Sequence, residues 1–336
     1  MGRREDAASD SDVRAGEADV KPGVHIMSSE EYHAGPGDAP MLSSSIARIL
    51  LAQSPLHAWT AHPKLNPDYM PKEKKEFDLG TAAHAMLLEG GEGIEVVDPA
   101  RYPTAKGGAP KGWTTDAMRA ARDAVRAAGR TPILPDQFAE VEKMAGIARQ
   151  AIADCADLSG LTLADGTAEQ SVIWEEPGGV WCCARPDWMS HDRKVQISYK
   201  STGMSAKPEE WVRTGLGLGF DLQNALYLRG NRATGGPADG VSLTLVQENA
   251  APYACSWIGM DPAFMALADE KVEDAIELWR RCLTAGRWPG YGNRIHWVEP
   301  PVWAVARWEG RPAMSERAGE PPRGFGADDL KDGIPL

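Results

Sequence analysis

The sequence predicts an α/β domain, a central mixed sheet flanked by helices with an N-terminal helical part, and three observations predict it. Between Glu169 and Lys200, short runs of β-branched and aromatic residues alternate with turn signals. On both sides lie longer stretches whose apolar residues recur at helical spacing. The order of these segments suggests a sheet core, α+β or α/β, covered by helices.

Residues 1–24 are rich in Ala, Asp, Glu and Gly with few large apolar side chains, so a disordered tail is expected there, and the stretch from about Arg311 to Leu336 reads the same way. The expected domain spans 25–305, with a helical part over 40–160, a sheet core over 165–300 and a flexible tail over 306–336. Leu42–Leu51 has the pattern of a capped helix: Ser43, Ser44 and Ser45 offer N-cap oxygens, and Ile46, Ile49 and Leu50 share a face. A second helix, Gly80–Glu89, carries His84 among small residues that admit a close neighbour. Residues 99–112 read as a flexible loop, and Thr115–Ala128 and Pro135–Ala153 as helices forming a cap or insertion.

Glu169–Trp174, Val180–Trp188 and Lys194–Lys200 then read as a three-stranded meander, broken at Pro177-Gly178-Gly179 and His191-Asp192-Arg193. A helix over Pro208–Leu228 is interrupted by Gly215, Gly217 and Gly219. Strands follow at Gly240–Asn249 and Ala254–Gly259, and the last clear helix is Pro262–Ala285.

Composition narrows the function classes. The longest apolar runs, such as Met86-Leu87-Leu88, fall far short of the roughly 20 residues of a membrane span. The charged N-terminus has no apolar centre of the secretory kind, so a cytoplasmic protein is expected. Five cysteines, none in a C-x-x-C pair, argue for free thiols and against zinc or iron–sulfur ligation. A net charge of −12 speaks against a uniformly phosphate-binding surface but leaves room for a local basic patch.

Strand geometry places Ser198 and Lys200 on one face. A hairpin turning near Asp192 would set Asp187 across from position 198, a suitable place for a cation, and Glu169 on the neighbouring strand would add an oxygen. Each residue has a plainer reading. His84 alone would be a packed or exposed histidine, Asp187 a strand-end turn residue and Lys200 a solvated charge. Gln223 and Tyr227, one helical turn apart, would only pack. The twelve tryptophans are mostly core by default, with a few left over to stack on bases, and the Arg and Lys residues of 101–111 and 119–130 would either line a DNA channel or simply face solvent.

Taken together, the segments resemble a known family. Arg185-Pro186-Asp187-Trp188 followed by Ile197-Ser198-Tyr199-Lys200 is similar to the P-D…(D/E)-x-K signature of the PD-(D/E)XK nucleases. Gly80-Thr81-Ala82-Ala83-His84 resembles the G-x-x-x-H motif of RecB-like and RecE-like nucleases, and Gln223-Asn224-Ala225-Leu226-Tyr227 their Q-x-x-x-Y. Leu42–Trp59, Val246-Gln247-Glu248 ahead of Pro252-Tyr253, and Gly286–Tyr291 are similar to segments of the RecE (exonuclease VIII) type, so the likeness runs over about 25–300. The resemblance implies a restriction-endonuclease-like core and a Mg2+-dependent exodeoxyribonuclease, with Mn2+ as substitute and two ions in an active parent form. It also implies 5′ to 3′ digestion of double-stranded DNA ends to leave single-stranded overhangs, a single-strand annealing protein as recombination partner, and a homo-oligomeric ring. In the family pattern Asp187 and the residue at 198 hold the metal, the Tyr199 carbonyl completes the shell, and Lys200 orients the water. Glu169 and His84 serve a second ion or the outer shell, and Gln223 and Tyr227 support DNA or the lysine.

Ser198 departs from this pattern, because it stands where the family has an acid. A neutral hydroxyl removes a charge and a strong ligand, so cleavage is expected to be impaired unless Asp192 or Glu169 takes over. The alternative is a catalytically silent DNA-binding or recombination scaffold. A Ser198–Lys200 hydrolase is disfavoured because no nucleophile-elbow glycines follow the serine. A RecB-like role inside a helicase is disfavoured by the lack of a P-loop.

Overall fold

The computed structural model describes residues 20–70, 79–158 and 160–310. In chain order the elements are β1 (Gly23–His25), α1 (Ser29–Ala34), β2 (Leu42–Ser43), α2 (Ser44–Ala52), α3 (Pro55–Ala61), α4 (Leu79–Leu88), β3 (Ile94–Val96), α5 (Asp116–Ala127), β4 (Thr131–Ile133), α6 (Pro135–Ala153), β5 (Gly166–Ala168), β6 (Ser171–Glu176), β7 (Val180–Ala184), β8 (Trp188–Ser190), β9 (Val195–Thr202), α7 (Pro208–Leu218), α8 (Phe220–Ala233), β10 (Val241–Glu248), β11 (Cys255–Ile258), α9 (Pro262–Ala285) and α10 (Val302–Glu309).

Two mixed sheets form the centre. One has the order β11-β10-β9-β8-β5 with β9 and β10 parallel; the other has the order β1-β6-β7-β2 with β2 and β7 parallel. The expected single meander is therefore wrong. Its middle run, Val180–Trp188, belongs to both sheets: β7 pairs with β6, and β8 with β9 and β5. Pro186 explains the break, since it has no N–H to carry a ladder through the crossing.

Helix α8 lies between the sheets. Leu222, Ala225 and Leu226 pack with Val172, Trp174 and Cys182 of the four-stranded sheet. Toward the five-stranded sheet, Asn224 Nδ2 donates to Thr244 Oγ1 at 3.3 Å, and Asn224 Oδ1 accepts from Ser242 Oγ at 3.1 Å. The close approach needs a glycine, for a Cβ on Gly230 would sit 2.4 Å from Trp174 Cζ3. The single helix expected over Pro208–Leu228 is two, because Gly219 (φ 75°) takes the left-handed conformation that closes α7 and opens α8.

Helix α9 has the boundaries its sequence announces. Asp261 caps Phe264 N–H, Pro262 occupies the first turn and Gly286 is left-handed. Its buried stripe, Ala268, Val272, Ala275, Ile276 and Trp279, joins the same core as α8, and Val272 and Ile276 each contribute roughly 1.5–3 kcal/mol on burial.

The outer face of the five-stranded sheet is covered by α4 and α6, whose Ala83, Leu87, Met144 and Ala148 pack on Trp188, Ile197, Tyr199 and Leu245. Helix α6 is thus a structural layer rather than part of a cap; α5, packed near β4, is peripheral. Arg119, Arg122 and Arg130 are paired with Asp116, Asp123 and Glu95. At the N-terminus the order begins inside the expected 1–24 tail, because Gly23 and Val24 pair with β6 and Val24 packs on the core. Residues 1–19 and 311–336, where the rest of both tails was expected, lie outside the described residues.

The chain divides into two compact units after Tyr291, and α10 belongs to the second, crossing the boundary expected at 305. Its Trp303 and Trp308 are exposed, as is Trp297, while Trp174, Trp188, Trp211 and Trp279 are buried, in keeping with tryptophans that are mostly core. Among the described residues no helix is long and apolar enough to cross a membrane.

One ion pair inside the first unit carries a measurable share of stability. Glu176, 6% exposed, takes Arg229 Nε at 2.6 Å and Nη2 at 2.8 Å, and Trp174 Nε1 at 2.7 Å. Burial pushes the Glu176 carboxyl up, but the Arg229 and Trp174 hydrogen bonds outweigh it and hold it below the usual range. Arg229→Ala strands a buried carboxylate and should cost about 3–5 kcal/mol in urea unfolding at neutral pH. Because the folded carboxyl is depressed, the pair's contribution is present above the ordinary carboxylate range and lost on acidification through it. The gap between variant and parent should therefore narrow toward low pH.

Candidate metal centre

Three elements meet at one point. His84 lies in α4, Glu169 in the turn between β5 and β6, and Asp187 at the crossing between β7 and β8. His84 Nε2 is 3.5 Å from Glu169 Oε1 and 3.5 Å from Asp187 Oδ2, and ligand atoms of the three lie within 4.8 Å of one another. Glu169 is not on a strand as expected. It takes a left-handed φ of 56°, its N–H donating to the Asp187 carbonyl at 3.0 Å, and so turns its carboxylate toward His84.

Asp187 is fixed from below by β9, whose Tyr199 N–H donates to its Oδ2 at 2.7 Å. Lys200 Nζ stands 3.8 Å from the same oxygen. Burial raises the Asp187 carboxyl, but the Lys200 charge and the His84 hydrogen bond outweigh it, so Asp187 is held below the usual range and ionised. His84 shows the converse. Burial lowers it, yet the Asp187 hydrogen bond and the charges of Asp187 and Glu169 leave it raised.

A cavity of about 770 Å³ opens over this cluster, lined by His84, Glu169, Asp187, Gln223 and Tyr227. A smaller one of about 300 Å³ is lined by Lys200, Arg48 and Thr202. Ser44, Ser45 and Gln223 line both and form the partition. Gln223 Nε2 donates to Tyr227 Oη at 2.7 Å, and Ser44 bonds the same phenol.

Ser198 is placed differently from its predicted companions. The β8–β9 register, Trp188 against Ile197, sets Asp187 one rung on, opposite Ser198. The Ser198 side chain is nevertheless buried, its Oγ has no hydrogen-bond partner, and it lines neither of these cavities. That also leaves no Ser–Lys dyad. Tyr199 reaches Asp187 through its N–H, while its ring lies under α4 with its centroid 6.3 Å from that of His84 and its phenol donates to Gln247. Asp192, considered as a replacement acid, is no part of the cluster. It caps its own hairpin, accepting from Ser190 Oγ at 2.7 Å and Lys194 N–H at 3.0 Å.

Four residues near the site were missed in sequence. Ser44 and Arg48 read as part of a capped helix, and Glu89, one turn beyond His84, as a helix end. Arg185 carried only the signal of preceding Pro186-Asp187. Its Nε donates to Glu169 Oε2 at 2.6 Å.

The family model described as PDDEXK-like domain of unknown function (DUF3799) matches residues 48–300. The chain belongs to this family. The PDDEXK-like fold is also that of a crystal structure from Eubacterium rectale named "Putative exonuclease", which superposes with a TM-score of 0.51 over 85% of this chain and 100% of that one at 13% identity. At that identity the likeness is one of fold alone. A structure of SSO0001 aligns over 53% of this chain and 79% of that one at 16% identity, with a TM-score of 0.24 that carries no argument. No curated protein matches the sequence.

One imidazole nitrogen and two carboxylate oxygens, two of the three residues being acids and the acid at the crossing held ionised, fit a hard divalent cation such as Mg2+ or Mn2+ with water filling the remaining positions.

Proposed function

We propose that the chain is a metal-dependent nuclease that hydrolyses phosphodiester bonds in DNA, with His84, Glu169 and Asp187 holding the cation. The convergence of these three side chains, remote in sequence, at the wall of one large cavity is the observation that carries the reading. When bound, the cation supplies Lewis acidity to the phosphate and an acidified water as nucleophile. The chain's own groups do the rest. Asp187 stays ionised, and Lys200 sits beside it to offset charge developing on the phosphate. Arg48 and Lys200 make the smaller cavity suitable for a neighbouring backbone phosphate, and the Ser44–Gln223–Tyr227 partition offers neutral donors between the two.

The order of motifs supports a finer version: a RecE-like exodeoxyribonuclease using Mg2+, or Mn2+ in its place, with the Tyr199 carbonyl as a further ligand. It would act 5′ to 3′ on linear double-stranded DNA ends, as a cytoplasmic ring-shaped oligomer working with a single-strand annealing protein. Ser198 weakens the centre in this chain, and two ions would require an acid there. A second reading, a silent DNA-binding scaffold, is favoured by the buried, unpartnered Ser198 hydroxyl.

Calorimetric titration with Mn2+ and digestion of linear against closed-circular duplex DNA separate the two. The nuclease reading expects Mn2+ uptake and Mg2+-dependent loss of linear DNA only. DNA binding without Mn2+ uptake would establish the scaffold instead.

A further inference from the structure

We infer that Arg185 is a positioning residue of the metal centre, holding Glu169 so that only one carboxylate oxygen is offered to a cation; the inference rests on the nuclease reading above. Arg185 is 10% exposed, sits one residue before Pro186-Asp187 at the crossing between the sheets, and spends its planar fork on protein atoms. Nε donates to Glu169 Oε2 at 2.6 Å, and Nη1 donates to Ser171 Oγ at 2.7 Å and to the Met27 carbonyl at 3.1 Å. The guanidinium also lies 5.6 Å from the Tyr32 ring centroid. With five fixed donors, such a fork sets the plane of a carboxylate in a way an ammonium cannot.

The consequence falls on Glu169. Its backbone is in a left-handed conformation costing about 1 kcal/mol for a residue with a Cβ, and its N–H is tied to the Asp187 carbonyl. Oε2 is taken by Arg185, which leaves Oε1 as the oxygen facing His84 Nε2 at 3.5 Å. Arg185 therefore fixes both the direction and the denticity of this ligand, and its bond to Met27 ties the segment entering α1 to the same point.

Charge and position make opposite demands, which gives the test its sign. A cation beside a metal site repels the metal, so if Arg185 acted only through its charge, Arg185→Gln would tighten Mn2+ binding. If it positions Glu169, the same change weakens binding on the order of tenfold or more, as loss of an outer partner of a ligand does. Arg185→Lys keeps the charge, loses the fork, and should weaken binding as well. The experiment is Mn2+ calorimetry on the full chain, parent and variants, with circular dichroism to verify folding, repeated in the Glu169→Ala background. There Arg185→Lys should change affinity less than twofold, because its effect runs through the missing carboxylate. Unchanged or tighter binding in both single variants overturns the inference, and so does an equal loss in the Glu169→Ala background. Should Arg185→Gln fail to fold, the Lys variant and its cycle decide alone. Absence of Mn2+ uptake by the parent sinks the nuclease reading itself, a distinct result.

Discussion

Ser198→Asp is expected to raise Mn2+ affinity roughly 100-fold and to bring Mg2+-dependent digestion of linear duplex DNA well above that of the parent. The register sets position 198 opposite Asp187 on the five-stranded sheet, so a carboxylate there shares a face with the existing ligands. At about 4 Å and an effective dielectric of about 20, the attraction is roughly 4 kcal/mol per unit charge. Part is lost to dehydration of the new acid, and a net of about 3 kcal/mol corresponds to the 100-fold stated. The metal-free variant should be less stable than the parent, because a second acid enters a site that is 1% exposed and stands near an ionised Asp187. Its carboxyl is raised in the folded state, so the metal-free variant should be more stable near pH 5 than near pH 8, the reverse of a paired acid. Added Mn2+ should remove that penalty. A variant that melts early and gains no metal affinity would show that position 198 does not face the centre.

Asp187→Asn should abolish Mn2+ uptake, with a loss of about 100-fold or more, larger than that typical of an outer partner. The amide keeps an oxygen for the Tyr199 N–H at 2.7 Å, so the crossing should stay folded. His84 supplies an independent readout. In the parent its raised position depends on Asp187, through the hydrogen bond and the charge, against burial. The charge of Asp187 is then gone while that of Glu169 remains, so burial weighs more heavily and the imidazole should titrate at lower pH than in the parent in NMR of the metal-free protein. A His84 titration that does not move would mean the two side chains are not in contact in solution.

The helices whose limits were legible are those with chemical punctuation. α9 starts on Asp261-Pro262 and stops on Gly286, and α6 starts on Pro135; both occupy the ranges read from sequence. His84 and Asp187 were legible because the motifs that hold them stand in order, whereas Glu169 was reached by placing it on a neighbouring strand, which is not where it lies. The backbone settings were not legible. Nothing local says that Glu169 leaves its strand for a left-handed turn, because that conformation is imposed by its bond to Asp187 and its ion pair with Arg185. Nor does the run Val180–Trp188 announce two sheets, since the alternation of side chains is the same on either side of Pro186. β1 and β2, three and two residues long, owe their existence to partners far along the chain, β6 and β7. Arg185 and Ser44 read as a strand end and a helix cap because their partners are contributed by other elements.

The three residues Arg185-Pro186-Asp187 carry the backbone directly from β7 of one sheet to β8 of the other, beside Glu169-Gln170, which carry it from β5 to β6. An ion gripped by Asp187, by Glu169 beside it and by His84 on α4 would tie a helix to that seam as a rivet ties overlapping plates. Loading with Mn2+ would then slow protease nicking and amide exchange in α4 and in both flanking strands together, so that occupancy is felt as stiffness well away from the cavity mouth.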